Sequence, residues 1–173
     1  MKRNMLIFFT LFICLIFYYS YSFSLPHLFG PQKDIDFIFE KIFLSEDVLI
    51  ASRQSNFKEK LVKKIALDLI KDSVSVKCIG LSKIEKENIS KYKIVVIINT
   101  CMAWDWDRNV HSFLKKNKIN SKLIIITTSA SGNWKPKRIP YNVDAISSAS
   151  EFSKIEILSN EITNKIRKEI KKY

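Results

Sequence analysis

The chain has 173 residues, of which 47% are apolar and 27% are charged, so a packed core can form and bulk disorder is excluded. With 3 glycines, 4 prolines and 3 cysteines, collagen-like, linker-rich and disulfide-rich designs are excluded as well. The net charge is +12, but the lysines are spread along the chain and form no single basic tract, so we expect no nucleic-acid partner.

The N-terminus contains a long apolar run. Lys2 and Arg3 are followed by Met5–Tyr21, which carries no charge and lies in length between a signal-peptide core and a short membrane-spanning helix. No small-x-small cleavage site follows it, and the aromatic residues at its end are typical of a membrane interface. We therefore expect residues 1–24 to be an uncleaved anchor in the cytoplasmic membrane, with a cleaved signal peptide as the alternative. The two positive charges are expected to stay in the cytoplasm, which places the rest of the chain on the extracytoplasmic side, or makes it secreted if cleavage occurs.

A linker and a short helix are predicted over residues 25–46. Leu25–Gln32 contains two prolines and a glycine, which is typical of a linker. Asp34–Leu44 carries apolar residues at helical spacing, which predicts a short amphipathic helix. The globular domain is then expected over residues 47–173.

Strands and helices alternate through this domain. Four short apolar runs are buried-strand candidates, and the third and fourth are mostly β-branched with no polar alternation, which indicates burial on both faces. The runs are Asp47–Ala51, Val74–Ile79, Ile94–Ile98 and Leu123–Thr127, and Val143–Ile146 forms a weaker fifth. Helical apolar stripes lie at residues 61–70, 106–114 and 155–170, and Ser148 or Ser150 is expected to cap the last helix. This alternation predicts βαβ units, hence an α/β fold with a parallel sheet and helices on both faces.

Parallel sheets of this kind bind ligands at the carboxyl ends of their strands. The informative segments are therefore the loops Ser52–Lys58, Thr100–Asp107 and Ser129–Tyr141. Other chemistry is not indicated, because His27 and His111 are isolated, no His/Cys cluster has metal-ligand spacing and no glycine-rich nucleotide motif occurs. We predict neither a catalytic residue set nor a metal site.

Several segments follow one another from Val48 to Trp134 in a familiar order. They are strand VLIAS, loop RQSNFK, strand KIVVIINT, helix NVHSFLKKN and strand KLIIITTSASGN. This order and spacing resembles the flavodoxin family. The resemblance implies a doubly wound parallel sheet in the strand order 2-1-3-4-5, preceded here by the hydrophobic anchor helix. It also implies noncovalently bound FMN in a pocket of three loops, a role in electron transfer or small-molecule reduction, and a redox partner protein.

The first of the three loops binds the FMN phosphate in that family. It has the form S-x-T-G-N-T and lies at a helix N-terminus, where free N–H groups and the helix dipole favour an anion. The resemblance assigns this role here to Ser52, Gln54, Ser55 and Asn56. The loop has no glycine, and Phe57 stands where a small residue is expected, so an ordinary polar strand-to-helix loop is the alternative.

The loops after the third and fourth strands flank the flavin ring in that family. The resemblance assigns ring contacts here to Thr100, Trp104, Ser129, Gly132, Asn133 and Trp134. Trp106 has helical spacing with Val110 and Phe113, which favours a core position for it. Asp105 and Asp107 are expected to start the following helix, where the dipole favours acidic residues.

A second, shorter resemblance concerns Asp144–Ser150. The sequence DAISSAS is similar to the D-A-[VI]-[ST]-G-A-[ST] motif of extracytoplasmic FMN-attachment domains, which implies flavin attachment through phosphate at Ser150. The alternative is a strand end followed by a helix N-cap.

Three functions therefore stay open. The first is a membrane-anchored flavodoxin-like protein that binds FMN. The second is a non-enzymatic binding or scaffold module that kept the fold and lost the cofactor, which the altered phosphate loop favours. The third is an enzyme that acts on another aromatic or phosphorylated ligand in the same cleft.

Overall fold

The structure is a computed structural model that describes residues 9–16, 33–35, 47–101, 106–117, 122–129, 132 and 144–172. The chain divides into two compact units, Met1–Gln32 and Lys33–Tyr173. In the first unit, residues 9–16 are helical and their side chains are exposed. These residues are the described part of the anchor predicted over Met5–Tyr21. No helix in the described part of the chain is long and apolar enough to cross a membrane.

The second unit is built on a parallel sheet. Strands β1 (Val48–Ser52), β2 (Val76–Gly80), β3 (Ile94–Thr100) and β4 (Leu123–Ser129) pair in the order β2-β1-β3-β4, and every pair is parallel. This confirms the predicted α/β fold with a parallel sheet and the order of its first four strands. The backbone of Asp144–Ala149, labelled β5, pairs in parallel with β4.

Helices cover both faces of this sheet. Helix α1 (Asn56–Lys71) follows β1, α2 (Arg108–Lys116) follows β3, and α3 (Ile155–Ile170) follows β5. Between β2 and β3 the chain forms only two 3-10 segments, Leu81–Lys86 and Ile89–Lys91. Helices α1 and α3 share one hydrophobic core, and α2 shares the other core with the 3-10 segments.

Alternate residues of each strand enter these two cores. In β1, Val48 and Ile50 face the α1 side, while Leu49 and Ala51 face the α2 side. Burial on both faces explains why the strand sequences show no polar alternation. Because the chain leaves β1 toward one face and β3 toward the other, these neighbouring strands define the switch point of the sheet.

Two element boundaries differ from the sequence expectation. Asp34, predicted to begin a helix, forms an antiparallel bridge with Arg53, and residues 36–44 of that predicted helix lie outside the described residues. Helix α3 begins only at Ile155, after a 3-10 turn over Phe152–Lys154, and its N-cap position is Lys154 with no side-chain capping bond. Neither Ser148 nor Ser150 caps it, and Ser150 is exposed directly after β5.

Candidate functional site

A buried lysine lies at the switch point between β1 and β3. Lys58 is the third residue of α1, its side chain is 4% exposed, and its ammonium donates a hydrogen bond to Thr100 Oγ1 at the end of β3. Helical spacing explains this position, because Lys58 lies on the same buried face as Leu61, Val62 and Ile65. The helix therefore carries a positive charge into the crevice where sheets of this kind receive ligands.

Burial governs the titration of this lysine. The pKa of Lys58 is lowered to about 8, chiefly by loss of hydration; the charge of Asp107 opposes this shift, and the charge of Arg53 adds to it. At neutral pH Lys58 is thus still protonated, although its buried environment disfavours the charged form. An anion bound next to Lys58 would offset that cost, because an opposite charge favours the protonated form.

The second cation of the site, Arg53, is held between two carboxylates. Its Nε and Nη2 donate to Asp107 Oδ2 and Oδ1 at 3.0 and 3.2 Å, and its Nη1 donates to Asp34 Oδ1 at 2.8 Å. Burial lowers the pKa of Arg53, but the two aspartates outweigh burial and raise it. The carboxylates of Asp34 and Asp107 are thus both engaged by the Arg53 guanidinium, whereas Lys58 donates to a neutral hydroxyl.

Asp107 also fixes the start of α2. Its side chain accepts a hydrogen bond from the Asn109 N–H at 2.9 Å, so Asp107 is the N-cap of α2, at the helix start where the sequence predicts it. Its own N–H donates to Asn99 Oδ1 at 2.9 Å, and Asn99 Nδ2 donates to Thr127 Oγ1 at 3.4 Å. Buried polar contacts therefore tie the carboxyl ends of β3 and β4 to the first turn of α2.

The segment Lys33–Ile35 closes the β1 and β2 side of this edge. The Gln54 N–H donates to the Lys33 carbonyl at 2.7 Å, and the Asp34 carboxylate accepts hydrogen bonds from the Ser82 N–H and hydroxyl. Gly80 leaves room for this carboxylate, since a Cβ at that position would overlap the Asp34 side chain. Asp34, which lies before β1, thereby connects Arg53, which follows β1, with Ser82, which follows β2.

The predicted phosphate-loop residues have local partners. The hydroxyl of Ser52, which is fully buried, donates to the Arg53 carbonyl at 2.9 Å. Gln54 is exposed and donates to Glu59 at 2.8 Å, and Ser55 is the N-cap of α1, where its Oγ accepts from the Lys58 N–H at 3.2 Å. Asn56 is exposed at the first position of the helix. The loop is thus a short, capped strand-to-helix connection that presents the N-terminus of α1 at the sheet edge.

The predicted ring contacts are only partly described. Thr100 lies at the end of β3 as expected and meets Lys58. Gly132 adopts a φ of 72°, which favours glycine, and its N–H donates to Ser129 Oγ at 3.0 Å. Trp104, Asn133 and Trp134 lie outside the described residues. The structure places Trp106 in the α2-side core, as its helical spacing predicts.

The sequence-based site did not include Arg53 and Lys58. A signal for Lys58 was present, because it occupies a core position in the apolar stripe of α1. The pairing of Arg53 with Asp34 and Asp107 had no such signal, since these residues are 19 and 54 positions apart from Arg53 along the chain. No group of three or more His, Cys, Asp or Glu side chains in the described part of the chain could hold a metal ion.

Comparisons with known proteins support the fold. No model of a known protein family matches the chain, and no curated protein sequence matches it. Among solved structures, the chain is similar to the metal-soaked flavodiiron core of Flv1 from Synechocystis sp. PCC6803, with a TM-score of 0.51 and 13% sequence identity over 75% of this chain. The match spans only 37% of that chain. At this identity the similarity concerns the α/β fold alone.

Proposed function

We propose that this protein binds FMN at the carboxyl edge of a flavodoxin-like sheet and serves electron transfer or the reduction of a small molecule. In this proposal β5 completes the flavodoxin strand order 2-1-3-4-5. The observation that carries the proposal is the position of Lys58, a buried cation at the switch point and in the first turn of α1. Both the cation and the helix N-terminus favour the phosphate of such a ligand.

The residues present fit a phosphate group. An ammonium has three hydrogen-bond donors, and Thr100 is the one acceptor that Lys58 reaches among the described residues. A phosphate would accept from Lys58 and would place a negative charge in direct contact with its buried ammonium. Ser55 and Asn56 present the N-terminal turn of α1 to the same group, and Trp104 and Trp134 are proposed to flank the ring.

The flavin would supply the redox chemistry, while the chain would bind it, orient it and control its access to water. We further propose that the chain is attached to the cytoplasmic membrane through Met5–Tyr21, that the domain lies on the extracytoplasmic side, and that a redox partner protein exchanges electrons with it. The similar fold of a flavodiiron core supports the redox part of this proposal.

Flavin titration of the full-length protein tests the proposal. We expect FMN to bind with quenching of its fluorescence, and Lys58→Met to weaken the affinity at least about tenfold, since a charge-assisted hydrogen bond to phosphate is lost. Riboflavin, which lacks the phosphate, should bind the wild type and Lys58→Met equally. The matched control Lys115→Met removes an exposed lysine from α2 and should leave FMN binding unchanged. A folded wild-type protein that gives no quenching with FMN would contradict the proposal.

A second candidate function is a non-enzymatic binding or scaffold module. The observation that favours it is the internal pairing of the loop: Arg53 is held by Asp34 and Asp107, and the Ser55 hydroxyl caps α1. On this alternative the protein takes up no flavin, and Lys58→Met changes stability without changing any ligand affinity.

A further inference from the structure

We propose that the outer face of α1 and the start of α3 form a docking surface for an anionic lipid bilayer. This surface, called here the α1–α3 face, consists of Lys60, Leu67, Phe152, Lys154 and Ile157. It goes beyond the FMN site, and it rests on the proposed attachment of the chain to the membrane.

Exposed apolar side chains distinguish the α1–α3 face from the opposite layer, which α2 and the 3-10 segments form. Ile157 is 72% exposed, Phe152 is 53% exposed and Leu67 is 50% exposed. In the described part of residues 33–172, no large apolar side chain besides these three is exposed. The opposite layer, formed by α2 and the 3-10 segments, therefore has no such group among its described residues. A cluster of exposed apolar groups on one face marks a contact with a membrane or another protein.

The exposed groups belong to one continuous face. The Phe57 ring holds the Phe152 ring edge-on at a centroid distance of 6.3 Å, and the Lys60 ammonium lies 4.7 Å from the Phe152 centroid. Further along the helices, Lys64 Nζ reaches Glu156 Oε1 at 3.5 Å. Leu67 is one turn beyond Lys64, and Ile157 directly follows Glu156, so these contacts bring α1 and α3 side by side with their apolar groups outward.

Basic residues surround the apolar groups. Four of the five lysines of helix α1, all except the buried Lys58, lie off its buried face, against two acidic residues, and Lys60 is exposed next to Phe152. Lys154 is also exposed and pairs with Glu151 at 3.3 Å. The nearby carboxylates of Glu156 and Asp68 are both paired with Lys64. Aromatic and aliphatic side chains bordered by lysines are the composition of elements that lie in a membrane interface and bind anionic lipids.

The length of the preceding chain favours a bilayer as the occupant. Only residues 22–32 separate the apolar run that ends at Tyr21 from Lys33, where the second unit begins. Even when fully extended, a segment of this length spans at most about 40 Å. A tether this short gives the second contact an effective concentration in the millimolar range, which adds to the affinity that the α1–α3 face has by itself. A freely diffusing acidic protein would lack this advantage.

The test uses the full chain with a protease recognition sequence inserted after Ser24, reconstituted into vesicles. After cleavage, sedimentation measures how much of the released part stays on vesicles of phosphatidylcholine alone or of phosphatidylcholine with about a quarter phosphatidylglycerol. We expect retention on the anionic vesicles, release at about 0.5 M salt and release from the neutral vesicles. Ile157→Asp should lower retention about tenfold, because it removes an exposed apolar group that the bilayer would cover and adds a negative charge that anionic lipid repels.

Ser112→Asp is the matched control, since it adds the same charge at an exposed position of α2. Phe152→Ser is a second variant on the proposed surface, and circular dichroism establishes that each variant folds. Complete release of the wild type from anionic vesicles, or equal losses for Ile157→Asp and Ser112→Asp, would overturn the proposal. Sedimentation of the uncleaved chain with neutral vesicles reports the anchor alone, so failure of the anchor and failure of the α1–α3 face give different results.

Discussion

At the scale of single residues, Lys58 is the residue on which the proposed ligand site depends most. A lysine on the buried stripe of an amphipathic helix opposes folding, because its charge loses hydration with only one hydroxyl contact among the described residues. Arg53 shows the contrasting arrangement, in which two carboxylates compensate a partly buried guanidinium. A residue that lowers stability at a switch point, with a single hydrogen-bond acceptor among the described residues, supports the proposed ligand, which would supply further acceptors.

This interpretation predicts how stability depends on pH. The pKa of Lys58 is about 8 in the folded protein against 10.5 for an ordinary lysine, so between these values the unfolded chain binds more protons. The contribution of Lys58 to the free energy of unfolding therefore becomes more favourable as the pH rises across that interval. The cost of burying its charge, about 3 kcal/mol, is fully present below pH 8. In Lys58→Met this cost is absent at every pH. The free energy of unfolding of the wild type should thus rise relative to that of Lys58→Met between about pH 8 and pH 10.5.

Denaturant unfolding at several pH values measures this difference. Lys115→Met, which removes an exposed lysine, provides the comparison. With rising pH, the free energy of unfolding of the wild type should increase relative to Lys58→Met but not relative to Lys115→Met. An equal increase relative to both variants would mean that the effect does not come from the burial of Lys58.

At the scale of elements, the N-terminus of α1 has a structural and a proposed binding role that mutations can separate. Ser55 caps the helix, so Ser55→Ala should cost about 1 kcal/mol of stability. Ser55→Asp preserves an N-cap acceptor and should keep most of that stability. It also places a negative charge where the FMN phosphate is proposed, and should weaken FMN binding at least about tenfold by repulsion.

Thermal unfolding and flavin titration of the same two variants provide the measurements. The proposed phosphate position predicts that Ser55→Asp loses more affinity and less stability than Ser55→Ala. A Ser55→Asp protein that binds FMN as tightly as the wild type would place the phosphate elsewhere.

The strands and long helices were predictable because their own sequences determine them. The run Ile94–Ile98 is β-branched throughout, and burial on both faces leaves few structures open to it except an inner parallel strand. Helices α1 and α3 follow from apolar stripes with a period of 3.6 residues. In contrast, Asp34 joins Arg53 and Ser82, which are 19 and 48 residues away, and the helical spacing that follows Asp34 gave no indication of this contact.

At the scale of the whole molecule, each of the two hydrophobic cores supports a different charged residue of the candidate site. The core under α1 and α3 supports Lys58 from one face of the sheet, while the core under α2 supports Asp107 from the other. The candidate site is thus assembled from both layers, and its charged groups meet only when the sheet and both helices have formed. A ligand that contacts both layers binds the folded state alone and stabilises the entire domain.

The last prediction follows from this linkage. At a free FMN concentration about one hundred times its dissociation constant, ligand binding should add about 2.7 kcal/mol to the free energy of unfolding. For a chain of this size, that gain corresponds to a rise in melting temperature of about 5–10 °C. Riboflavin should give a smaller rise at the same concentration, because it lacks the phosphate contact to Lys58, and the difference between the two flavins should shrink in Lys58→Met. A cooperative melting transition that stays at the same temperature at every FMN concentration would instead support the cofactor-free module, in which Arg53, Asp34 and Asp107 complete the sheet edge without a ligand.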